Sequence, residues 1–503
     1  MKNILILGAL FASALFCNGQ SIADGLLYTG EDLKGTARYR GLSGAFGALG
    51  GDLSAIGSNP ASSVVFSNNF AGISLGIQGN SNEANYFNTA TTSNTTDVSI
   101  NQAGGVLVFQ SPQSRTISKF ALSLNYDVTR NFDNRINARG SSPISVSEYF
   151  LNNANGIELD NFVPLPGESV SELYQFLGQN LGFGAQQGFL GYQSFLLNST
   201  DDSDFTNTNY VSNTGTGSFN QDYLVETIGY NSKISFNGAL EINNKWNLGI
   251  NLNSHVISME RFTSIVESNS NADASISDVS FNNTLFTDGN GFSFQLGLIG
   301  ELTKNIRVGA TYESPTWYTI EESQIQDITT IGSNGGDRVF VRPDIVNLFE
   351  PYRLRSPGSL TGSIAYIFGK RGLLSLNYNT KDYSQLRFSP DDSALFRDNN
   401  RAAQNNLARA NSIRIGGEYR LQNWTLRGGY RMEESPYNNK EIMGDLTGYS
   451  LGLGYTWGKT ILDISYDRSE RDFSQQLFDT GLDTRTGVLN TLDNIVISLS
   501  FNL

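Results

Sequence analysis

Residues 412–432 read SIRIGGEYRLQNWTLRGGYRM, and this stretch decides the fold. On both sides of a centre at Gln422 and Asn423, apolar or aromatic side chains alternate with Arg, Glu, Thr and Gly. Successive side chains of a β-strand point to opposite faces of a sheet, so this alternation is typical of half-buried strands. The stretch therefore predicts a hairpin of two strands joined by a tight turn, with one apolar face and one polar face.

The same alternation recurs along the chain and predicts fourteen strands. It is plain in FALSLNYDV from Phe120, in WNLGINLNSHV from Trp246 and in the terminal NIVISLSFNL. The predicted strands cover residues 70–79, 98–110, 118–130, 222–242, 245–266, 291–302, 305–325, 358–369, 372–388, 411–422, 423–434, 446–457, 460–471 and 494–503.

Short and long connections alternate between these predicted strands. The long ones are 80–97, 131–221, 267–290, 326–357, 389–410, 435–445 and 472–493. In a transmembrane barrel all short turns lie at one end and all long loops at the other, and closing the sheet pairs every backbone group, as hydrocarbon requires. We therefore predict an all-β fold, a transmembrane antiparallel β-barrel of about 14 strands. A large soluble β-protein is the alternative.

Composition limits the function classes. The chain has 503 residues, a net charge of -14 and no block of basic residues, which argues against nucleic-acid binding. Residues 1–19, MKNILILGALFASALFCNG, predict a secretory signal peptide cleaved before Gln20. A lipidated Cys17 is the alternative, disfavoured by the bulky Phe16 before it. Cleavage removes the one cysteine, so we expect an exported protein without disulfides, thiol catalysis or zinc-thiolate sites.

Residues 20–69 precede the first strand and lack its alternation, so we expect them to fill the lumen as a hatch. Within them, residues 38–61 read RYRGLSGAFGALGGDLSAIGSNPA, and their small side chains permit close packing. Asp52 is a candidate N-cap of one short helix, and Asn59 before Pro60 is a candidate cap of a second. The apolar face of the hatch is predicted at Phe46, Leu49 and Leu53. Composition leaves open whether the hatch is a static seal or a gate.

The sequence resembles the FadL-type long-chain fatty-acid transporters of the outer membrane. The resemblance rests on Asn59, Pro60 and Ala61 before the first strand, and on stretches such as LRSPGSLTGSIAYIF at 354–368 and YSLGLGYTWGKTILDISYD at 449–467. It implies a signal peptide at 1–19, a hatch at 20–69 and a barrel at 70–503 with a large external loop at 131–221. It further implies a non-enzymatic, cofactor-free monomer in the outer membrane that admits fatty acids or related hydrocarbons by gated passive diffusion.

In the family, external loops form an apolar capture groove. Its predicted counterpart lies in the 131–221 insertion, at Leu173, Tyr174, Phe176, Leu177, Leu181, Phe189, Leu190 and Phe195. The alternative is that these side chains pack on one another and cap the barrel. Arginine binds carboxylates through paired hydrogen bonds, so candidate contacts of a ligand headgroup are Arg38, Arg40, Arg414, Arg427 and Arg431. The alternative is a ladder of salt bridges inside the barrel.

The third predicted strand, the one histidine and the spacing of possible metal ligands limit the function further. The family releases ligand sideways at a kinked third strand, but SKFALSLNYDVTR has neither Gly nor Pro, so no kink is predicted. His255, the one histidine, lies on the polar face of the fifth strand without a nucleophile motif, so no catalytic residue is predicted, and no cluster has metal-ligand spacing. Two rival functions stay open: a porin for polar solutes, and a barrel that serves as a scaffold for a surface or secretion partner.

Overall fold

Fourteen antiparallel strands close into a barrel in the structure, a computed structural model that describes residues 20–111 and 116–503. Closure is made by pairing of the first strand with the last, beginning at Phe70 and Asn502. The predicted signal peptide lies outside the described residues. In chain order the barrel strands are Phe70–Tyr86, Thr89–Gln110, Ile117–Asn131, Phe219–Ile242, Trp246–Ser268, Ile276–Glu301, Ile306–Glu313 with Trp317–Gly332, Tyr352–Arg355 with Ser359–Ile367, Gly372–Asp382, Arg409–Leu421, Trp424–Glu433, Leu446–Trp457, Thr460–Gln476 and Arg485–Asn502.

The seventh and eighth strands are each interrupted once, and a proline lies in each interruption. Pro315 separates Ile306–Glu313 from Trp317–Gly332, and Pro357 separates Tyr352–Arg355 from Ser359–Ile367. Proline has no backbone N–H to donate to a neighbouring strand, so a ladder breaks where it occurs. The pairing resumes beyond each break, and the count of fourteen predicted from the sequence is confirmed.

The outer surface of the barrel carries a band of exposed apolar side chains. In the fifth strand Leu248, Ile250 and Leu252 point outward, while the alternate Asn251 and Asn253 are buried inside. Aromatic side chains are exposed near the turns, as is usual for membrane barrels where the hydrocarbon ends; they include Phe109, Phe368, Trp424 and Trp457. The chain therefore presents hydrocarbon-compatible surface outward and polar side chains inward. Among the described residues, no helix is both long and apolar enough to cross a membrane.

Several strands extend beyond their predicted bounds. Residues 80–97 were predicted as a long loop, but they continue the first two strands to a tight turn at Phe87 and Asn88, both with positive φ. The extension is rich in Asn, Ser and Thr on both faces, so it has no apolar alternation to detect. Thr nevertheless favours extended backbone. The fourth to seventh strands are lengthened similarly toward the loop end, the end opposite the short turns.

Seven helices and three 3-10 segments complete the described chain. Helices α1 to α7 cover Ile22–Thr29, Ala37–Gly41, Leu53–Ser58, Ser147–Ala154, Val170–Asn180, Phe183–Gln193 and Ala394–Asn406, and the 3-10 segments cover Pro60–Val65, Leu159–Asn161 and Tyr383–Gln385. Short strands Asn134–Ser142, Leu197–Ser199, Tyr210–Ser212, Arg338–Val341, Asn347–Leu348 and Arg387–Ser389 lie at the loop end. Helices α4, α5 and α6 share one apolar core with the upper barrel wall, forming an external cap.

Residues 20–69 lie inside the barrel and extend along its axis. At the loop end α1 contacts α7, where the Asn399 side chain donates to the carbonyl of Gln20. The Ser21 hydroxyl caps α1 and Asp24 completes the capping box. At the turn end, α3 and the Pro60–Val65 segment contact the wall, and the chain then enters the first strand.

Candidate functional site

Asn59 fixes the turn end of the hatch. Its side-chain oxygen accepts a hydrogen bond from the N–H of Ala61 at 3.1 Å, which caps the 3-10 segment as predicted. Its side-chain nitrogen donates to the carbonyls of Gly47 at 2.7 Å and Leu298 at 3.0 Å. One fully buried amide thus joins two parts of the hatch to the sixth strand. The predicted N-cap of α3 is also confirmed, because the Asp52 carboxylate accepts from the N–H of Ser54 at 2.9 Å.

Pro60 and Ala61 lie directly against two glycines of the wall. A Cβ at Gly249 would lie 2.3 Å from the backbone of Pro60, and a Cβ at Gly297 would lie 2.1 Å from the side-chain oxygen of Asn59. Gly249 and Gly297 are register partners in the fifth and sixth strands. The missing side chains therefore form a socket for the Asn59–Ala61 triplet, which we call the glycine socket.

Polar side chains around the glycine socket satisfy the hatch carbonyls. Asn251 donates to Ile56 at 2.8 Å, Asn237 to Pro60 at 2.9 Å and Gln295 to Gly57 at 3.0 Å. Ile56 and Gly57 lie in the last turn of α3, whose carbonyls have no partner within the helix, whereas Pro60 begins the 3-10 segment. Sequence reasoning missed these three residues, although each lies on the polar face of a predicted strand.

The predicted apolar face of the hatch is buried. Phe46 and Leu49 belong to one apolar cluster with Leu373 of the ninth strand, and Leu53 belongs to another with Val106 of the second. The hatch therefore binds to opposite sides of the wall by burial as well as by hydrogen bonds.

Three of the five candidate arginines join the hatch to the barrel or brace the wall. Arg40 makes a bidentate pair with Asp467 at 2.7 and 2.8 Å, and both side chains are almost fully buried. Arg38 pairs with Glu418 at 3.0 Å, and Arg427 pairs with the same carboxylate at 2.9 Å. This is the salt-bridge arrangement that the sequence left open, and it engages these three guanidinium groups with carboxylates of the protein.

A cavity of about 960 Å³ lies between the hatch, the wall and the loops at the loop end of the barrel, including part of α7. Its apolar lining comes from α1, from strand segments near the loop end and from the loops between strands, and includes Leu26, Leu27, Phe132, Ile136, Tyr223, Val225, Phe281, Leu285, Ile442, Met443, Phe473, Leu477 and Phe478. Its charged lining includes Glu31, Lys34, Asp127, Lys233, Glu313, Lys381, Arg414, Arg431 and Glu433. The cavity is therefore lined by both apolar and charged side chains, which also include the ion pair of Arg261 with Asp24 of α1.

Arg414 and Arg431 are the candidate arginines that line this cavity. They are direct cross-strand partners in the tenth and eleventh strands, so two like charges lie side by side on the inner face. Arg414 pairs with Glu433 at 3.1 Å. Among the described residues, Arg431 has no hydrogen bond or ion pair, although it is 5% exposed. A guanidinium group facing a cavity without a partner is available to an anionic group of a ligand.

Two lysines that the sequence reasoning did not select lie in the same region. Lys233 and Lys381 line the cavity and, within the described chain, form no salt bridge. Glu31 of the hatch shares this space: its enclosure raises the pKa of the carboxyl, but Lys233 and Lys381 outweigh that effect and the pKa lies below its ordinary value. Both lysines lie on polar faces of predicted strands, so their orientation could have been inferred.

Most of the predicted groove residues are buried in the external cap. Leu173, Tyr174, Leu177, Phe189 and Leu190 belong to its apolar core and do not line the cavity. Phe176, Leu181 and Phe195 are exposed, by 50%, 44% and 59%. The five buried side chains thus pack on one another, as expected if this region only caps the barrel. An external capture surface stays a prediction and depends on the three exposed side chains.

The wall between the second and third strands is only partly closed by backbone pairing. The ladder of these strands extends from Gln110 and Lys119 to Gln102 and Asp127, and it ends there. Beyond it, side chains bridge the gap: Asn131 donates to Asp97 at 2.7 Å, and the Ser93 hydroxyl donates to the Arg135 carbonyl at 2.6 Å. We call this stretch the seam.

The seam borders both lipid and cavity. Val98 and Ile100 of the second strand are exposed outward beside it, whereas Val128 and Thr129 of the third strand line the cavity. Thr129 is skipped in the pairing of the third strand with the fourth, where Gly229 has a φ of 123°. The irregularity therefore consists of a bulge at Thr129 of the third strand and a glycine in the fourth, so it needs neither Gly nor Pro in the third strand.

His255 is buried inside the barrel, on the inner face as expected. Its Nε2 lies 2.9 Å from the Ser293 hydroxyl, and its Nδ1 lies 3.4 Å from the hydroxyl of Tyr318. Neither His255 nor Ser293 lines the cavity, so this contact stabilises the wall rather than facing a ligand. Within residues 20–111 and 116–503, no three acidic, histidine or cysteine side chains are close enough together to hold a metal ion.

Comparisons with known proteins agree with this architecture. Solved structures with a similar fold include a Pseudomonas aeruginosa FadL homologue, with a TM-score of 0.53, 15% identity and coverage of 94% of this chain and 99% of that chain. They also include the Pseudomonas putida toluene transporter TodX, with a TM-score of 0.52, 14% identity and the same coverages of 94% and 99%. At these identities the likeness concerns the fold. No curated protein matches the sequence.

The sequence itself matches a family profile. The profile is described as "Outer membrane protein transport protein (OMPP1/FadL/TodX)" and matches residues 203–476, which is more than half of the chain. Its members are transport proteins of the outer membrane and not enzymes. The loop end is thus the external face and the turn end the periplasmic face. The chain belongs to the OMPP1/FadL/TodX family of outer-membrane transport proteins.

Proposed function

We propose that the protein admits long-chain fatty acids, or similar amphiphiles with one anionic headgroup, across the outer membrane by gated passive diffusion. The observation that carries the proposal is the cavity of about 960 Å³, which is lined by apolar side chains and by the cations Lys233, Lys381 and Arg431, none of which forms a salt bridge among the described residues. Small-molecule sites usually measure roughly 300–1,000 Å³, so the space suits one such ligand.

The apolar lining suits the tail. Leu26 and Leu27 face it from the hatch, and Tyr223, Val225 and Phe281 face it from the wall. Burying a hydrocarbon chain there is favourable by about 25 cal/mol per Å² of apolar surface. Because α1 supplies part of this lining, an entering tail contacts the hatch directly.

The cationic lining suits the headgroup. Arg431 forms no hydrogen bond or salt bridge among the described residues, although Glu433 and Asp467 lie near it, and Arg414 beside it is paired with Glu433. Glu31 occupies the same region as an anion of the hatch. A ligand carboxylate competes with Glu31 for the cations, which couples headgroup binding to movement of the hatch.

The seam supplies an exit route. It lies beside the outward-exposed Val98 and Ile100, so a ligand that leaves there enters lipid rather than water. Opening it breaks side-chain contacts such as Asn131 to Asp97 and leaves the backbone ladder of the barrel intact. A polar-solute porin is less favoured by the geometry, because residues 20–69 occupy the lumen.

The test compares two ligands with the same tail. Purified protein in detergent is titrated with labelled oleate and with oleyl alcohol, which lacks the charge. Arg431→Gln should weaken oleate binding by about tenfold or more, the loss of one charge-assisted hydrogen bond, and should leave oleyl alcohol binding unchanged. Arg420→Gln is the matched control, since Arg420 is half exposed and does not line the cavity.

Two outcomes would overturn the proposal. The first is that wild-type protein binds neither ligand and retains no amphiphile detectable by mass spectrometry. The second is that Arg431→Gln weakens oleate and oleyl alcohol equally, since the headgroup assignment requires a difference between them.

A further inference from the structure

A patch of six arginines lies on the outer surface of the barrel at the external edge of the apolar band. Its members, which we call the arginine patch, are Arg353, Arg355, Arg387, Arg397, Arg401 and Arg409. They come from the eighth and tenth strands, from the short strand Arg387–Ser389 and from α7. The chain as a whole carries a net charge of -14, whereas here the six arginines outnumber the aspartates that contact them, Asp382, Asp391, Asp392 and Asp398.

Strand register places the patch beside the last outward aromatic side chains of the apolar band. Phe292 pairs with Trp317, Trp317 with Arg355 and Arg355 with Arg387, so these four side chains form one row across four strands. Phe292 and Trp317 are the last outward aromatic side chains before polar residues begin, and they are 48% and 46% exposed. In membrane barrels such aromatic side chains mark the interface between hydrocarbon and headgroups. Arg355, directly beside Trp317, therefore lies next to this interface, and Arg387 lies beside Arg355.

The protein neutralises the patch only in part, because Arg387, Arg401 and Arg409 have carboxylate partners and Arg353 and Arg355 have none among the described residues. Arg355 and Arg387 are opposed directly across two strands, an arrangement of like charges that destabilises a sheet. Arg387 pairs with Asp391 at 2.7 Å, but Arg353 and Arg355 have no hydrogen bond or ion pair among the described residues, and the Nε of Arg355 is buried without a partner. These cations are available to an external anion.

The remaining arginines widen the patch. Arg397 donates to the carbonyl of Asp392 at 2.6 Å, a neutral acceptor, while Arg401 pairs with Asp398 at 3.1 Å. Arg387, Arg397 and Arg401 also line one shallow surface pocket of about 340 Å³. Arg409 pairs with Asp382 at a loose 3.5 Å.

We propose that the arginine patch binds the phosphate groups of the glycolipids of the outer leaflet. Guanidinium groups bind phosphate through paired hydrogen bonds, and basic clusters beside a membrane-spanning segment recognise anionic lipid headgroups. The phosphate would neutralise the opposed Arg355 and Arg387, and its acyl chains would lie against the band below Trp317. The site is on the lipid-facing surface and is independent of the transport cavity.

The test uses lipid A with both phosphates, lipid A without phosphate, and inorganic phosphate. Their affinities are measured by native mass spectrometry on full-length protein in detergent. The variant is Arg353→Gln/Arg355→Gln, which breaks no hydrogen bond or ion pair among the described residues. Arg139→Gln/Arg468→Gln is the matched control, since it removes the same charge from exposed arginines elsewhere.

The variant should bind phosphorylated lipid A roughly tenfold more weakly than wild type, and the control should bind it like wild type. Wild type should bind the dephosphorylated lipid as weakly as the variant binds the phosphorylated one. Equal affinity of variant and wild type, or of the two lipids for wild type, would overturn the assignment. Displacement of lipid A by equimolar inorganic phosphate would overturn it as well, because the site would then be one for free phosphate.

Discussion

Removing the Asn59 side chain amide should release the turn end of the hatch. Asn59→Ala removes three hydrogen bonds, to the N–H of Ala61 and to the carbonyls of Gly47 and Leu298. Each such bond contributes about 1 kcal/mol net, so the docked hatch should lose about 3 kcal/mol relative to the undocked one. At about 1.36 kcal/mol per factor of ten, the undocked population should rise about 150-fold.

A single cysteine measures that population. The one natural cysteine is Cys17, so the chain from residue 20 onward has none, and Ser63→Cys introduces a reporter. Ser63 belongs to the hatch and is fully buried when the hatch is docked, and its one side-chain hydrogen bond is long, at 3.5 Å. A water-soluble maleimide should label the reporter only when the hatch is undocked, so the labelling rate follows the undocked population.

The control for this experiment is Asn68→Ala, since Asn68 lies on the same segment but is exposed. The labelling rate should rise about 150-fold with Asn59→Ala and stay at the reference value with Asn68→Ala. Equal labelling of the two variants would refute the reasoning, because it would mean that the amide does not hold the hatch against the sixth strand.

Two further predictions use the same reporter. Gly297→Ala should accelerate labelling by about 5- to 150-fold, since its Cβ would lie 2.1 Å from the Asn59 side chain and overpacking costs about 1–3 kcal/mol. Gly362→Ala is the control and should not change the rate, because its Cβ would meet nothing within 4 Å. Equal labelling rates of these two variants would contradict the glycine socket. Burial lowers the pKa of Lys34 to about 8 in the docked hatch, so docking favours the neutral form of this lysine. The free energy of docking should therefore become more favourable between about pH 8 and 10, by up to about 1.4 kcal/mol per pH unit. The measurement is the labelling rate of the reference protein divided by that of Lys34→Met, because the titration of the reporter thiol cancels in this ratio. The ratio should fall between about pH 8 and 10. A constant ratio would exclude a link between Lys34 and docking of the hatch.

The membrane-spanning part of the fold could be predicted from the sequence because lipid and lumen impose opposite demands on alternate residues. In Trp246–Leu252, for example, every second side chain is apolar and most of those between are polar. The strands beyond the membrane could not be predicted in this way. Around Phe87 and Asn88 both faces of the sheet are polar, and the turn was detectable only through its positive φ angles.

The candidate site was predicted in part, for a different reason. Asn59 and Pro60 were found because capping is a local property of the chain, whereas the glycine socket depends on two glycines from different strands meeting in register. Likewise, Arg427 and Arg431 are both inward-facing arginines of one strand, and the sequence does not reveal that one meets Glu418 and Asp463 while the other faces the cavity. Apolar periodicity in the 131–221 insertion predicts burial equally well for a groove and for a core.

The course of residues 20–69 has a mechanical consequence. One short peptide contacts α7 at the external mouth and the glycine socket at the periplasmic mouth, with Arg40 anchored to Asp467 between them. One continuous segment therefore contacts the wall at both entrances of the barrel. Arg40 and Asp467 hold the middle of this segment to the wall. A displacement of the external end therefore reaches the periplasmic end only if this ion pair breaks.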